Sequence, residues 1–446
     1  MRTVGLGSGI VNTMEPRTSA GIRIEQFPAG VEGDRPDART GAWFEAVNFG
    51  FLDSTFEPAH AAVFARAYIE DGRTLWGAYD DGERPGVWNA EVPVATYATL
   101  VNDLNVGGGR MLPTHQITAV TVRATHRRRG ILRQMMTEDL RQAAGKGLAM
   151  AALTASEATI YGRFGFGTAT FTREVEVDVR ERFALRAPAT GTVEVAEPGT
   201  LVDLAPKVFA RFHAQTRGSI GRQYGYAMRA SGRWGGEKPE VDKGLRAAVH
   251  YSDGNSADGY VSYKFSGWDK KPRALKIVDL VAATGEAYRE LWRYLGSVDL
   301  VETITFDAAA ENDPLPWAMT DSRGYAVKGS EDVLWLRVLD TEAALRERAW
   351  ATDGSLSVGV ADPLGIASGR FRIVAEGGRA SVERLAEDAD VDAVLPVDVL
   401  GSLYLGGVSA ETLSAAGRLP GTPADAVARL DAMFGAGGPP YCITHF

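Results

Sequence analysis

Cysteine is almost absent from this chain: of 446 residues only Cys442 carries a thiol. One thiol rules out an intrachain disulfide framework and fits a reducing compartment, so a cytoplasmic protein is expected. Long hydrophobic runs are missing too. No window of about 18 uncharged apolar residues occurs, and the start, MRTVGLGSGIVNTMEP, lacks a basic segment followed by an apolar stretch and a processing site. The chain reads as neither membrane-spanning nor secreted. Positive charge is in deficit: 48 Lys and Arg against 57 Asp and Glu leave a formal net charge of −9. A general nucleic-acid binder needs a basic footprint to displace counterions, so nucleic acid ranks last as a partner and cationic small molecules are favoured. The six histidines are scattered without metal-ligand spacing, so no metal is expected. Serine and cysteine nucleophile schemes fail for want of an elbow or a partner pattern.

The length exceeds what one hydrophobic core sustains, which implies two or three domains. Residues 1–21 read as a flexible leader. Its GLGSG segment (Gly5–Gly9) has no preceding strand, no following helix and a third glycine out of register for a dinucleotide loop; Met14 is a possible internal start. From there, 41–53 reads as a helix and loop packed on a sheet, 57–70 as a second helix, 74–79, 92–104 and 115–123 as strands, and Ile131, Leu132, Met135, Met136 and Leu140 fall on one helical face ahead of a buried strand at 149–153. This order implies a βαβ unit with the loop 126–130 at the carboxyl end of its sheet, where ligands bind. An alternating strand at 173–182 and a Pro/Gly/Ala-rich stretch at 187–199 put a boundary near residue 186. The next unit, 187–325, loosely repeats the first but has Thr284 and Gly285 where the first has HRRRG. A third unit, 326–446, opens with LWLRVLD and continues with strands and packed helices, an α+β module.

The loop His126–Ile131, HRRRGI, carries the chemistry. Arginines at a helix start are wrong for capping, because the amino end is already partially positive. Free amides of Arg128 to Ile131 together with guanidinium groups form a site for a pyrophosphate, and Gly130 lets the backbone approach closely. Upstream, Val120 and Val122 lie on a strand whose end can splay and bind an extended amide such as pantetheine by strand addition.

The segment AVTVRATHRRRGIL (119–132) resembles the acyl-CoA signature of the GNAT acetyltransferases, with Arg127, Gly130 and Leu132 at its anchor positions and Leu132 departing from the usual small residue. TASEATIYGRFGFGTAT (154–170), SEDVLWLRVLD (330–340), DVLGSLYLGG (398–407) and the terminal Phe446 resemble the Eis family of actinobacterial acetyltransferases from about residue 22 onward. The resemblance implies α/β and α+β architecture: tandem GNAT-like domains, the first active and the second degenerate, then a sterol-carrier-like domain. It also implies acetyl-CoA as donor, N-acetylation of aminoglycosides at several amines, and a hexamer.

By the same resemblance, Tyr161 is the general acid. A phenol of pKa about 10 can protonate a thiolate of pKa about 8.5 at close range; the competing reading is a buried aromatic. The family's base is the carboxylate of its last residue, here Phe446, whose ordinary pKa of about 3.5 would have to rise by desolvation or act through water. Ala119, Val120, Thr121 and Val122 with Arg127, Arg128, Arg129, Gly130, Ile131 and Leu132 would hold the cofactor. Ser156 either joins them or caps the helix of Tyr161. Trp43, Asp53 and Glu57 fall in the region expected to line a cationic substrate cleft, although solvated surface suits the two carboxylates equally. His445 stands where the family often has an acidic residue. Competing readings are a protein lysine or biosynthetic amine as acceptor, and a non-catalytic CoA- or lipid-binding protein.

Overall fold

The computed structural model describes residues 21–446 apart from positions 83, 84, 89, 156, 181, 182 and 237. Ser156 and nearly all of the expected leader, GLGSG and Met14 included, lie outside the described residues. The chain opens with strand β1 (Ile22–Pro28), helices α1 (Ala38–Phe51) and α2 (Pro58–Glu70), strands β2 (Thr74–Asp80), β3 (Ala95–Asn105) and β4 (Met111–Val122), helix α3 (Ile131–Gly145) and strand β5 (Met150–Thr154). Asp37 caps α1 by accepting the Thr40 amide at 2.7 Å, and Pro58 opens α2 at a position whose N–H has no helical partner anyway. β4 and β5 pair in parallel, so α3 is the crossover of the expected βαβ unit. Its buried face carries Ile131, Met135, Met136, Leu140 and Ala143.

After the short helix α4 (Ala158–Tyr161) come β6 (Gly167–Thr168), β7 (Phe171–Asp178), β8 (Thr192–Ala196), α5 (Leu201–Gln215), α6 (Tyr224–Ala230), β9 (Arg246–Tyr251), β10 (Ala257–Phe265), β11 (Ala274–Ala282), α7 (Gly285–Gly296), β12 (Thr303–Ala310), β13 (Tyr325–Asp332) and β14 (Leu334–Val338). The last part contains α8 (Thr341–Glu347), β15 (Gly354–Ala361), β16 (Gly369–Glu376), β17 (Arg379–Arg384), β18 (Ala393–Pro396), α9 (Val397–Leu403) and α10 (Ala424–Phe434).

Strand pairing does not follow these three stretches of chain. One seven-stranded sheet has the order β1-β2-β3-β4-β5-β14-β6, the other β8-β9-β10-β11-β12-β7-β13, and a four-stranded sheet runs β17-β16-β15-β18. β7 sits inside the second sheet instead of linking two units. β14, which the sequence groups with the third unit, pairs with β5 in the first sheet. All five residues of β14 are buried, as its position between two packed layers requires. One face of the first sheet packs with the third unit, through Leu112, Met150 and Leu336 against Leu356, Phe371 and Leu400. The other packs under α3, through Tyr97, Ile117 and Leu153 against Met135 and Leu140.

Two close contacts lock this junction. A Cβ on Gly401 would fall 2.3 Å from the Leu336 carbonyl oxygen, so the glycine inside DVLGSLYLGG is what allows α9 to rest on β14. Beside it, the fully buried Arg337 pairs with Asp362 at 2.7 Å, and Asp362 also accepts the amides of Leu364, Ile366 and Ala367. Asp362→Ala leaves that guanidinium buried without its counter-charge, which costs about 3–5 kcal/mol. A urea titration should show the first cooperative transition moving by that amount; a shift below about 1 kcal/mol would contradict the assignment. Among the described residues no helix is long and apolar enough to cross a membrane, and no group of three metal-ligating side chains occurs.

Candidate active site

The site begins with an irregularity in β4. Thr96 of β3 faces Thr121 and Ala98 faces Thr118, so Ala119 and Val120 together oppose Tyr97 alone, a bulge. Ala119 accordingly takes a positive φ of 52°. The Thr96 hydroxyl holds it there, donating to the Ala119 carbonyl at 2.9 Å and lying 2.6 Å from the Thr121 hydroxyl. Beyond the bulge β4 diverges from β5: their parallel pairing ends at Ile117 and Leu153, while β4 runs on to Val122. Val120 and Val122 therefore border a wedge between two strands, where main-chain groups suit an extended amide ligand.

The arginine loop closes the carboxyl end of the wedge. Arg128 and Gly130 adopt φ of 63° and 81°. Gly130 is the N-cap of α3 without a side-chain cap, and no acidic residue stands in the first turn. A Cβ on Gly130 would meet nothing within 4 Å, so the space beside the helix start is open, as a diphosphate site requires. The three arginines are not equivalent. Arg129 lies 3.2 Å from Asp80, which also bonds His126 at 3.0 Å, and the Gly82 amide, then His126, hold the Asp80 carboxyl below its ordinary pKa. Arg129 is thus a strut of the loop. Arg127, whose Nε donates to the Val122 carbonyl at 3.3 Å, and Arg128 are exposed and provide the open positive charge. Ile131 is buried and Leu132 half-buried.

Tyr161 ends α4 and is 5% exposed, edge-on to Phe166 at 6.4 Å between ring centres. Burial, then the charge and hydrogen bond of Asp139, push the Tyr97 phenol well above its ordinary pKa. Tyr97 donates to Asp139 at 2.8 Å, and His115 Nε2 lies 2.8 Å from the same oxygen; this buried group of three underpins α3. Phe446 arrives from the far end of the chain. Thr154, the last residue of β5, donates its hydroxyl to the main-chain oxygen of Phe446 at 2.7 Å and accepts the Phe446 amide at 3.3 Å. The Phe446 ring packs against the core shared by the first sheet and the third unit.

The residues expected to line a substrate cleft are not equivalent. Trp43 is fully buried, its Nε1 donating to the Trp76 carbonyl at 2.8 Å. A side chain with no exposed surface lines no cleft, so Trp43 belongs to the core under α1 and α2. Asp53 and Glu57 are exposed on the connection between those helices. His445 is exposed, and its main chain is held by the Tyr226 hydroxyl. No local motif marks Thr96, Thr154 or Tyr226, whose partners lie far along the chain.

Comparison with known proteins gives this arrangement a family. Residues 40–169 and 225–338 each match an acetyltransferase (GNAT) domain, and 341–443 match a sterol carrier protein domain. The N-acetyltransferase Eis of Mycobacterium tuberculosis is 35% identical over 373 residues, covering 80% of this chain and 86% of its own length. An uncharacterized N-acetyltransferase of Streptomyces avermitilis is 33% identical over 426 residues, covering 92% and 97%. The crystal structure of Eis1 from Mycobacterium abscessus is similar with a TM-score of 0.77 at 29% identity, covering 95% of this chain and all of that one. Two GNAT domains, a sterol-carrier-like domain and this depth of similarity mean that the chain belongs to the Eis family of GNAT N-acetyltransferases and is an acyltransferase.

Proposed function

We propose that the chain transfers an acetyl group from acetyl-CoA directly to primary amines of a cationic small molecule of aminoglycoside type. What carries the reading is the convergence at the end of β5 of three features: the β4–β5 wedge, the open amides behind Gly130, and Phe446 on Thr154. The donor supplies an activated acyl carbon and a thiolate leaving group. Amides of Arg128 to Ile131 with Arg127 and Arg128 hold its diphosphate, and the main chain of Val120 and Val122 aligns its pantetheine. The Phe446 carboxylate accepts the amine proton, directly or through water, as the nitrogen bonds to the acyl carbon. The carbon–sulfur bond breaks, and Tyr161 gives its proton to the sulfur. Solvent returns that proton to Tyr161 and takes the one on Phe446. Exposed Asp53 and Glu57 are the proposed contacts for acceptor ammonium groups, with His445 at the rim, and a hexamer, testable by light scattering of the full chain, is part of the same reading.

A second acceptor class has one observation in its favour. The end of α1 lies on the bulge, Gly50 against Thr121, and around it Phe49, Phe51 and Leu52 are 49%, 45% and 92% exposed. Such a rim suits an amine with an apolar body. Thiol release from acetyl-CoA, measured with kanamycin-type amines, polyamines, aryl-alkyl monoamines and lysine peptides, distinguishes the two: polycationic aminoglycosides are expected to give the highest kcat/KM. A preference for aryl-alkyl monoamines, or for lysine peptides, would overturn that expectation.

A further inference from the structure

The second sheet repeats the wedge of the first. β11 and β12 pair in parallel only over Ala274–Lys276 and Thr303–Thr305; β11 then continues to Ala282 on β10, and β12 to Ala310 on β7, without pairing each other. The helix that follows has lost the means to hold a diphosphate. Thr284 caps α7 on the Ala287 amide at 3.1 Å and donates to the buried Asp258 at 2.9 Å, so a hydroxyl and a carboxylate stand where the first domain has open amides and arginines.

The chain's own end fills this gap. Ile443, 7% exposed, belongs to the buried cluster that contains Tyr260 and Val281, and Ala308 and Tyr441 border it. The Tyr441 hydroxyl donates to the Ala308 carbonyl of β12 at 2.5 Å, and Thr444, fully buried, donates to the Ile220 carbonyl at 3.1 Å. Tyr226 of α6 then takes hold of the next residue on both sides: its hydroxyl accepts the His445 amide at 2.6 Å and donates to the His445 carbonyl at 3.1 Å. Tyr226 is itself set by the Arg222 guanidinium, 4.4 Å from its ring centre, which makes two 2.8 Å bonds to Asp279 on β11.

We propose that the wedge of the second domain is a receptor for residues 441–445 of the same chain, with Tyr226 as the positioning residue that sets Phe446 against Thr154. A groove of the kind that aligns a cofactor in the first domain thus orients part of the active site in the second. The contribution to catalysis rests on the reading of Phe446 as base; the receptor itself does not.

Tyr226→Phe in the full chain separates the two. Release of the last residues by a carboxypeptidase should become at least about tenfold faster, the factor for one hydrogen bond of ordinary net worth, since both bonds to His445 are lost. kcat should fall about tenfold or more, with KM for acetyl-CoA unchanged and the unfolding midpoint lowered by no more than about 4 °C. Faster release with kcat intact would uphold the receptor and overturn the terminal base. Unchanged release would overturn the receptor whatever the rate, leaving the base to be judged by extending the chain. Tyr441→Phe, which removes the bond to Ala308, gives the same readouts should the first variant fold poorly.

Discussion

Extending the chain by a single glycine beyond Phe446 is expected to lower kcat by about 10²–10⁴-fold, the range associated with a positioned acid or base. The extension keeps the Phe446 ring in its half-buried seat but turns its carboxylate into a neutral amide that accepts no proton. Deleting Phe446 should do comparable damage for another reason. The new carboxylate on His445 lies one residue back along an extended tail, roughly 3.3–3.6 Å away, and misplacements near 1 Å already cost about 10²-fold. Because the extension removes no packing, its unfolding midpoint should stay within about 4 °C of the parent. Steady-state kinetics with saturating acetyl-CoA check the effect, and a rate within a factor of about two of the parent would exclude Phe446 as base.

Tyr161→Phe is the second large effect, a fall in kcat of about 10²–10⁴-fold with KM for acetyl-CoA little changed. The substitution keeps the ring that packs edge-on to Phe166 and removes only the hydroxyl. Its specificity can be tested through the leaving group. A thiolate that is already stable needs no proton, so an acetyl donor with a more acidic thiol should be transferred by the variant at nearly the parent's rate. If the deficit is the same for both donors, Tyr161 is a packing residue and the proton comes from elsewhere.

Much of this was legible in the sequence, though unevenly. The 3.6-residue period of Ile131, Met135, Met136 and Leu140 marks α3, and HRRRG marks the loop before it, because both signals are local. The exchange of β7 and β14 between sheets is not local: periodicity identifies a strand, whereas its neighbour depends on which hydrophobic faces must be covered. LWLRV looks the same whether it opens a new domain or completes an old one. Arg129 reads as a free cation until Asp80, 49 positions earlier, is seen to hold it. The bulge at Ala119 is silent because alanine, unlike glycine or asparagine, carries no mark for positive φ. Trp43 has the residue type of a binding wall and the position of a core. Phe446 was reachable only through family resemblance, and its anchor on Thr154 and the grip of Tyr226 on the residue before it only through the fold.

Every catalytic role proposed above requires the acyl carrier to sit at the amino end of α3. Determining the structure of the full chain with coenzyme A bound tests it directly: the diphosphate should lie on the amides of Arg128 to Ile131, with the pantetheine arm along Val120 and Val122 and its sulfur toward Tyr161. A diphosphate seated at Thr284 of the second domain, or anywhere else on the molecule, would contradict it.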